Sequence, residues 1–167
     1  VSDPGLVGWA TVGEPSLGIT VQAPEGWSAT ATPAFALQLI GPAVDGYRAS
    51  VSFSHERFDP PTPAGLERWM ARTLEAQQRD YEGYEHLRHG PLLVDGRPAN
   101  AVHYRWHPDA VGADLEALLA VVVVEPGLLL EVDAANLAGP GEPMARALQI
   151  LSTVRFAPDA GARSAPD

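Results

Sequence analysis

At 167 residues, 46% of them hydrophobic, the chain suits one domain with a core large enough to fold unaided. A formal net charge of −10 leaves no basic surplus to neutralise phosphates, which argues against nucleic acid or an anionic membrane surface as partner. With no cysteine there is no disulfide framework, thiolate metal site, thiol nucleophile or attachment point for a lipoprotein anchor. All eleven basic residues are arginine, which together with many Ala, Gly and Pro reads as GC-rich coding and a bacterial source. No run of eighteen apolar residues occurs; Leu118 to Leu130 comes nearest and is broken by a Glu125-Pro126-Gly127 turn, so no membrane span is expected. The chain does not open on a basic region followed by an apolar stretch, so the expected compartment is the cytoplasm. A leader trimmed from the sequence would instead mark a mature exported protein.

Residues 1–16 are rich in Gly, Pro and small side chains and are expected to be irregular, with Trp9 as their one anchor. Leu17 to Ala23 alternates as a strand and ends at Pro24-Glu25-Gly26, a turn that delivers Trp27. Phe35 to Ile40 is a second strand bounded by Gly41-Pro42. Arg48 to His55 is a third, with Ala49, Val51 and Phe53 on one face and Ser50, Ser52 and Ser54 on the other, expected to be wet. The organising element follows. Thr62 suits an N-cap, Pro63 the first helical position, and Leu66, Trp69, Met70, Thr73, Leu74 and Gln77 recur at helical spacing over Thr62 to Arg79. This helix is expected to lie over the sheet as a lid. Fully buried, its apolar residues would contribute roughly 1.5–3 kcal/mol each, and Trp69→Ala would cost about 3–5 kcal/mol.

Glu85 to Val94 and Pro98 to Trp106 flank Asp95-Gly96, a strong hairpin signal. Leu118 to Val124 has no polar alternation, so it reads as a central strand buried on both faces. Leu128 to Asp133 pairs back onto it. Pro143 to Leu151 is a short final helix, and Thr153 to Phe156 a short edge strand. Residues 157–167 have nothing to bury and read as a disordered tail. The expectation is an α+β fold over residues 17–156, an antiparallel β-sheet flanked by helices on both faces, hence an α/β/α sandwich.

Several of these segments carry a resemblance. The strand followed by Pro24-Glu25-Gly26-Trp27 resembles the "PxGW" opening of the PsbP-like family, and Leu93-Val94-Asp95-Gly96-Arg97-Pro98-Ala99 is similar to its "vdGrpA" hairpin. Ala147 to Phe156 is similar to its terminal helix and "iLsSvrF" ending. The family includes the photosystem II extrinsic subunit PsbP, Mog-type Ran-binding proteins, DcrB-like proteins and LpqN-type lipoproteins. The resemblance implies a non-catalytic binding scaffold, an adaptor or chaperone associated with secretion among its roles, with a protein or peptide as partner. No cysteine is present to acylate, so this chain departs from the lipoprotein branch.

The best constellation for chemistry is histidine. His86 and His89 lie on one strand of the hairpin, His103 and His107 on or beside the other, with Glu85 as an added oxygen ligand for a divalent ion. The competing reading is a solvated hairpin face on which Arg88 and Arg105 repel a cation. His55-Glu56-Arg57 with Asp59 resembles acid–base apparatus, but neighbours on a strand point to opposite faces. No GxSxG, HExxH, GxGxxG or phosphate loop occurs, so neither catalysis nor a cofactor is expected. For partner binding, Trp9, Trp27, Tyr81 and Tyr84 are the aromatic residues least explained by periodicity, Trp27 being better placed in the core. A polar pocket converging on His86, His89 and His103 would favour a ligand- or metal-binding protein or enzyme; an apolar groove along the sheet would favour peptide binding.

Overall fold

The computed structural model describes residues 6–158. In chain order these form β1 (Ala10–Glu14), β2 (Ile19–Ala23), β3 (Ser28–Thr30), β4 (Leu37–Val44), β5 (Tyr47–Arg57), α1 (Pro63–Asp80), β6 (Glu85–Val94), β7 (Arg97–Trp106), β8 (Leu115–Glu125), β9 (Leu128–Leu137), α2 (Ala145–Ser152) and β10 (Arg155–Phe156). Seven strands make one antiparallel sheet in the order β3-β4-β5-β9-β8-β7-β6, and β1-β2-β10 make a second, smaller one.

Turn chemistry fixes the register. Asp95 and Gly96 have φ of 49° and 74°, Asp45 and Gly46 50° and 80°, the left-handed pair that a two-residue hairpin loop requires. Val94 therefore pairs with Arg97, and Val44 with Tyr47. The Asp45-Gly46 turn carries the same signal as Asp95-Gly96, and it lets β4 run on past Gly41-Pro42, where a strand end was expected. The chain absorbs Pro42 in a register shift between Ile40 and Ala43. Gly41 serves close approach: a Cβ there would lie 3.0 Å from the Trp27 indole.

The irregular N-terminal segment expected over 1–16 is corrected by β1, whose Ala10 to Glu14 pair with Ala23 to Ile19 of β2. Residues 1–5 lie outside the described part, as do residues 159–167, on which most of the expected tail falls. β9 extends four residues beyond the expected Asp133.

Burial of β8 organises the layers. Leu115 to Val122 are all buried, and alternate residues enter two different apolar clusters. Leu118, Ala120 and Val122 join Leu39, Phe53, Val132, the β2 residues Ile19 and Val21, and Ala147, Ile150 and Leu151 of α2. Ala117, Leu119 and Val121 join Val102, Tyr104 and Leu129, with Leu66, Trp69, Met70 and Leu74 of α1 packed against them. The first cluster holds twenty-one buried residues and the second seven, so the main core lies on the α2 side and is shared by the small sheet. The expected helices and antiparallel sheet are thus joined by a second, smaller sheet. The seating of α1 is also looser than expected, because all four apolar residues of its stripe are half-buried.

The first turn of α1 is anchored to the loop before it. Thr62 caps it by accepting from the Gly65 N–H at 3.2 Å, Pro63 opens it, and Gly65 presses on the preceding loop. A Cβ on Gly65 would lie 1.7 Å from the Pro60 carbonyl oxygen, a backbone atom that no side-chain rotation can move aside. Gly65→Ala should therefore destabilise the protein by at least about 2 kcal/mol in urea unfolding, even though Ala is the better helix former by about 1 kcal/mol. Half-burial lowers the expected cost of Trp69→Ala to about 1.5–3 kcal/mol in the same measurement.

Candidate functional site

A single helix leaves part of this face uncovered, and the sequence fills that part with polar side chains. Ser52 of β5 pairs with Asp133 of β9, and Ser54 with Glu131; across β9 the same two acids face Leu119 and Val121 of β8. All therefore point to the α1 side. Gln38 of β4, opposite Ser52, donates its Nε2 to the Ser52 Oγ at 3.0 Å. Thr73, Ala76, Gln77 and Asp80 of α1 form the roof, and Tyr81, Tyr104 and Trp106 the wall, of a cleft of about 600 Å³. Tyr81 stacks on Trp106 with ring centroids 4.5 Å apart.

The electrostatics of this cleft are one-sided. Glu56, Asp80, Glu131 and Asp133 line it, and among the described residues no arginine or histidine does. Burial pushes the Glu131 carboxyl up to about 9, helped by its hydrogen bond to Asp133 and by the negative charges of Asp133 and Glu56. Burial also raises Asp133, while the hydrogen bond from Glu131 pulls the other way. At neutral pH Glu131 therefore keeps its proton beside Asp133. Gln77 is 6% exposed, and its Oε1 is buried with no hydrogen-bond partner. Among the described residues the cleft is lined by carboxyl groups without a basic side chain to balance them.

The histidines occupy other places. His86 and His89 pair with Tyr104 and Val102, so they face the α1 side, and His86 Nε2 lies 3.0 Å from His89 Nδ1 on an exposed surface. A register shift between His86 and Arg88 brings both imidazoles to one face. His103 points to the opposite face, where its Nε2 meets Glu116 Oε2 at 3.1 Å and Arg105 holds the other oxygen at 3.0 Å. His103 is buried rather than on a solvated face; burial, ahead of the charge of Arg88, lowers its pKa against the pull of Glu116. His107 Nδ1 pairs with Asp114 at 2.7 Å. The sheet thus separates His86 and His89 from His103, and Glu85 contacts Arg105 at 3.9 Å. Among the described residues, no three His, Asp or Glu side chains come close enough to share a metal ion.

Of the aromatic candidates, Tyr81 lines the cleft. Tyr84 stacks on Tyr104 at 5.4 Å, and its hydroxyl is buried without a partner. Trp9 and Trp27 pack half-buried against the main core, Trp9 beneath the Arg146 guanidinium at 5.5 Å. Glu56 faces the cleft, whereas the Nε2 of its neighbour His55 is buried without a partner. The expected wet serine face is corrected: Ser52 and Ser54 are buried at the cleft floor. Sequence reasoning missed Glu131 and Asp133. The signal available was two acids at i and i+2 in an apolar strand beside the doubly buried one.

The acid pair has a consequence for stability. A carboxyl held above its ordinary value keeps a proton in the native state that the unfolded chain has released, so stability is present below the ordinary value near 4.5 and is lost as pH rises towards about 9. We expect ~2 kcal/mol to be lost between pH 5 and pH 9, a figure discounted for the water that reaches an open cleft. In urea unfolding at pH 5, 7 and 9, Glu131→Gln should flatten this slope. A slope unchanged by the substitution would refute a proton retained on Glu131.

Neither any family model nor any curated protein matches the sequence. Solved structures do match the fold. LpqN of Mycobacterium tuberculosis, described as involved in cell envelope biogenesis, is similar with a TM-score of 0.63 at 15% identity, over 90% of this chain and 91% of that one. The cyanobacterial PsbP (CyanoP) of Synechocystis sp. PCC 6803 gives 0.59 at 15% identity, over 93% and 96%. The Saccharomyces cerevisiae Ran-binding protein Mog1p gives 0.61 at 10% identity, over 89% and 95%. With so much of each chain superposed, the two helices and the large antiparallel sheet make the PsbP/Mog-like fold.

Proposed function

We propose that this protein is a non-catalytic binding module that receives a segment of a protein or peptide in the cleft beneath α1. The observation that carries this reading is the incomplete seating of that helix. One flank overhangs the cleft of about 600 Å³, and the other, with Leu66, Met70 and Leu74, overhangs a second hollow of about 790 Å³ reaching His86, His89 and Val102. Sites of this size with mixed apolar and polar walls suit short segments of chain. In this reading both faces of the main sheet are roofed by helix, α2 with the small sheet making the permanent cover and α1 the one that shares its face with a partner.

Strand addition fits less well. The edge strand β6 is interrupted by a register shift at Leu87 and by Pro91, devices that blunt an edge against pairing. A binding role agrees with the Ran-binding description of Mog1p, and an adaptor role near a secretion pathway with the envelope description of LpqN. Among the described residues no helix is long and apolar enough to cross a membrane.

The test is selection of a displayed random-peptide library on the folded protein. A consensus should emerge, and its binding should fall at least tenfold in Ala76→Trp, which fills the cleft from the roof. Failure to enrich a consensus, or a consensus indifferent to Ala76→Trp, would overturn the reading.

A further inference from the structure

We infer that the cleft beneath α1 recognises an organic cation, the ammonium or guanidinium head of a basic side chain or of a free polyamine. The inference rests on the cleft being the binding site and names what enters it.

Three observations on different elements converge. Glu56 on β5, Glu131 and Asp133 on β9 and Asp80 at the end of α1 line one cleft, with no Arg or His among the described residues beside them. Asp80 sits at the rim, paired with Arg79 at 2.8 Å, and Glu56 is exposed at the mouth, so Glu131 and Asp133 are the acids set inside, with no basic side chain among the described residues lining the cleft. Independently, Gln77 lines the same cleft and holds a buried carbonyl oxygen with no donor among the described residues, a group that costs free energy until an N–H reaches it. The third is aromatic. Tyr81, Tyr104 and Trp106 form one wall, and ring faces attract a cation, most strongly where water is excluded.

The shape of the charge selects the class of cation. No three acidic or histidine side chains among the described residues approach closely enough to share one metal ion, so the acids are spread for an extended cation rather than gathered around a point charge. A guanidinium with five N–H donors, or an ammonium with three, can reach an acid, the Gln77 oxygen and an aromatic face together. Its arrival removes the reason for Glu131 to keep its proton. The groups facing that proton are Asp133 on its own strand, Glu56 on β5, Tyr81 at the end of α1 and Tyr104 on β7, all neutral or negative. Binding near neutral pH should therefore release a proton.

Calorimetric titration of the intact protein at pH 7.5 tests this with three probes: acetyl-Gly-Arg-Gly-amide, the same peptide with neutral citrulline for arginine, and spermidine. The arginine peptide or spermidine should bind, the citrulline peptide at least tenfold more weakly, and the heat should vary with buffer ionisation enthalpy as a proton is released. Binding of the arginine peptide assigns the cation to a polypeptide; binding of spermidine alone assigns it to a free polyamine. The double variant Glu131→Gln with Asp133→Asn, which removes the buried acids without loss of volume and is expected to fold, should weaken binding at least tenfold. Equal affinity for the arginine and citrulline peptides, no heat from either cation at millimolar concentration, or indifference to the double variant would overturn the inference. If peptides selected on the protein lack Arg and Lys yet lose affinity in Ala76→Trp, the cation is wrong and the cleft stands. If cation binding responds to the double variant but the selected peptides ignore Ala76→Trp, the cation stands and the peptide-binding reading fails.

Discussion

The burial of β8 on both faces is the constraint from which the rest follows. A strand running Leu115 to Val122 without an exposed residue obliges the sheet to be covered above and below. The two covers are unequal in width. Seven strands spaced by about 4.8 Å span nearly 30 Å, while one helix with its side chains is about 10–12 Å across. On the α2 side the helix is joined by three further strands, and twenty-one residues are buried there. On the other side α1 lies alone over β7 and β8, and the β4–β5–β9 half of the sheet has no roof of its own. A cleft on that side is the geometric remainder of covering a wide sheet with a narrow element.

What occupies the remainder is not what stability alone would select. A surface left open to water is ordinarily solvated by serines and isolated charges. Ser50 and the exposed Glu56 fit that pattern, but Glu131 beside Asp133, its carboxyl pushed up by burial, does not. Replacing such a pair with neutral residues of similar volume is commonly neutral or stabilising. The twenty-one-residue core on the opposite face supplies the margin that lets an unfavourable cluster persist here.

Much of the fold was legible in the sequence because its signals are local. Asp95-Gly96 placed a hairpin, the unbroken apolar run of β8 placed the central strand, and Thr62-Pro63 placed the start of α1 within a residue. The errors have physical causes. β1 was missed because Ala10 to Glu14 lacks alternation and gains its stability by pairing with β2. The face of each histidine could not be read, because one register shift in β6 turns His86 to the side of His89 and away from that of His103. The cleft could not be read at all. Its floor joins Ser52 to Asp133 and Ser54 to Glu131, partners about eighty residues apart, and no local pattern announces that β5 and β9 are neighbours.

The attachment of α1 explains why its C-terminal half, rather than its N-terminal half, borders the cleft. The first turn is fixed by the Thr62 cap and by the contact of Gly65 with Pro60, and Leu66, Trp69, Met70 and Leu74 then lie against the apolar strip of β7 and β8. Beyond Leu74 the same helix face carries Gln77, whose carbonyl finds no partner, and the chain turns out at Tyr81 to stack on Trp106. An apolar residue at position 77 would have extended the stripe and seated the helix further along its length. Glutamine at the most buried side-chain position of the helix instead keeps an acceptor over the acid pair, so the break in the apolar stripe and the polar floor beneath it belong to one arrangement.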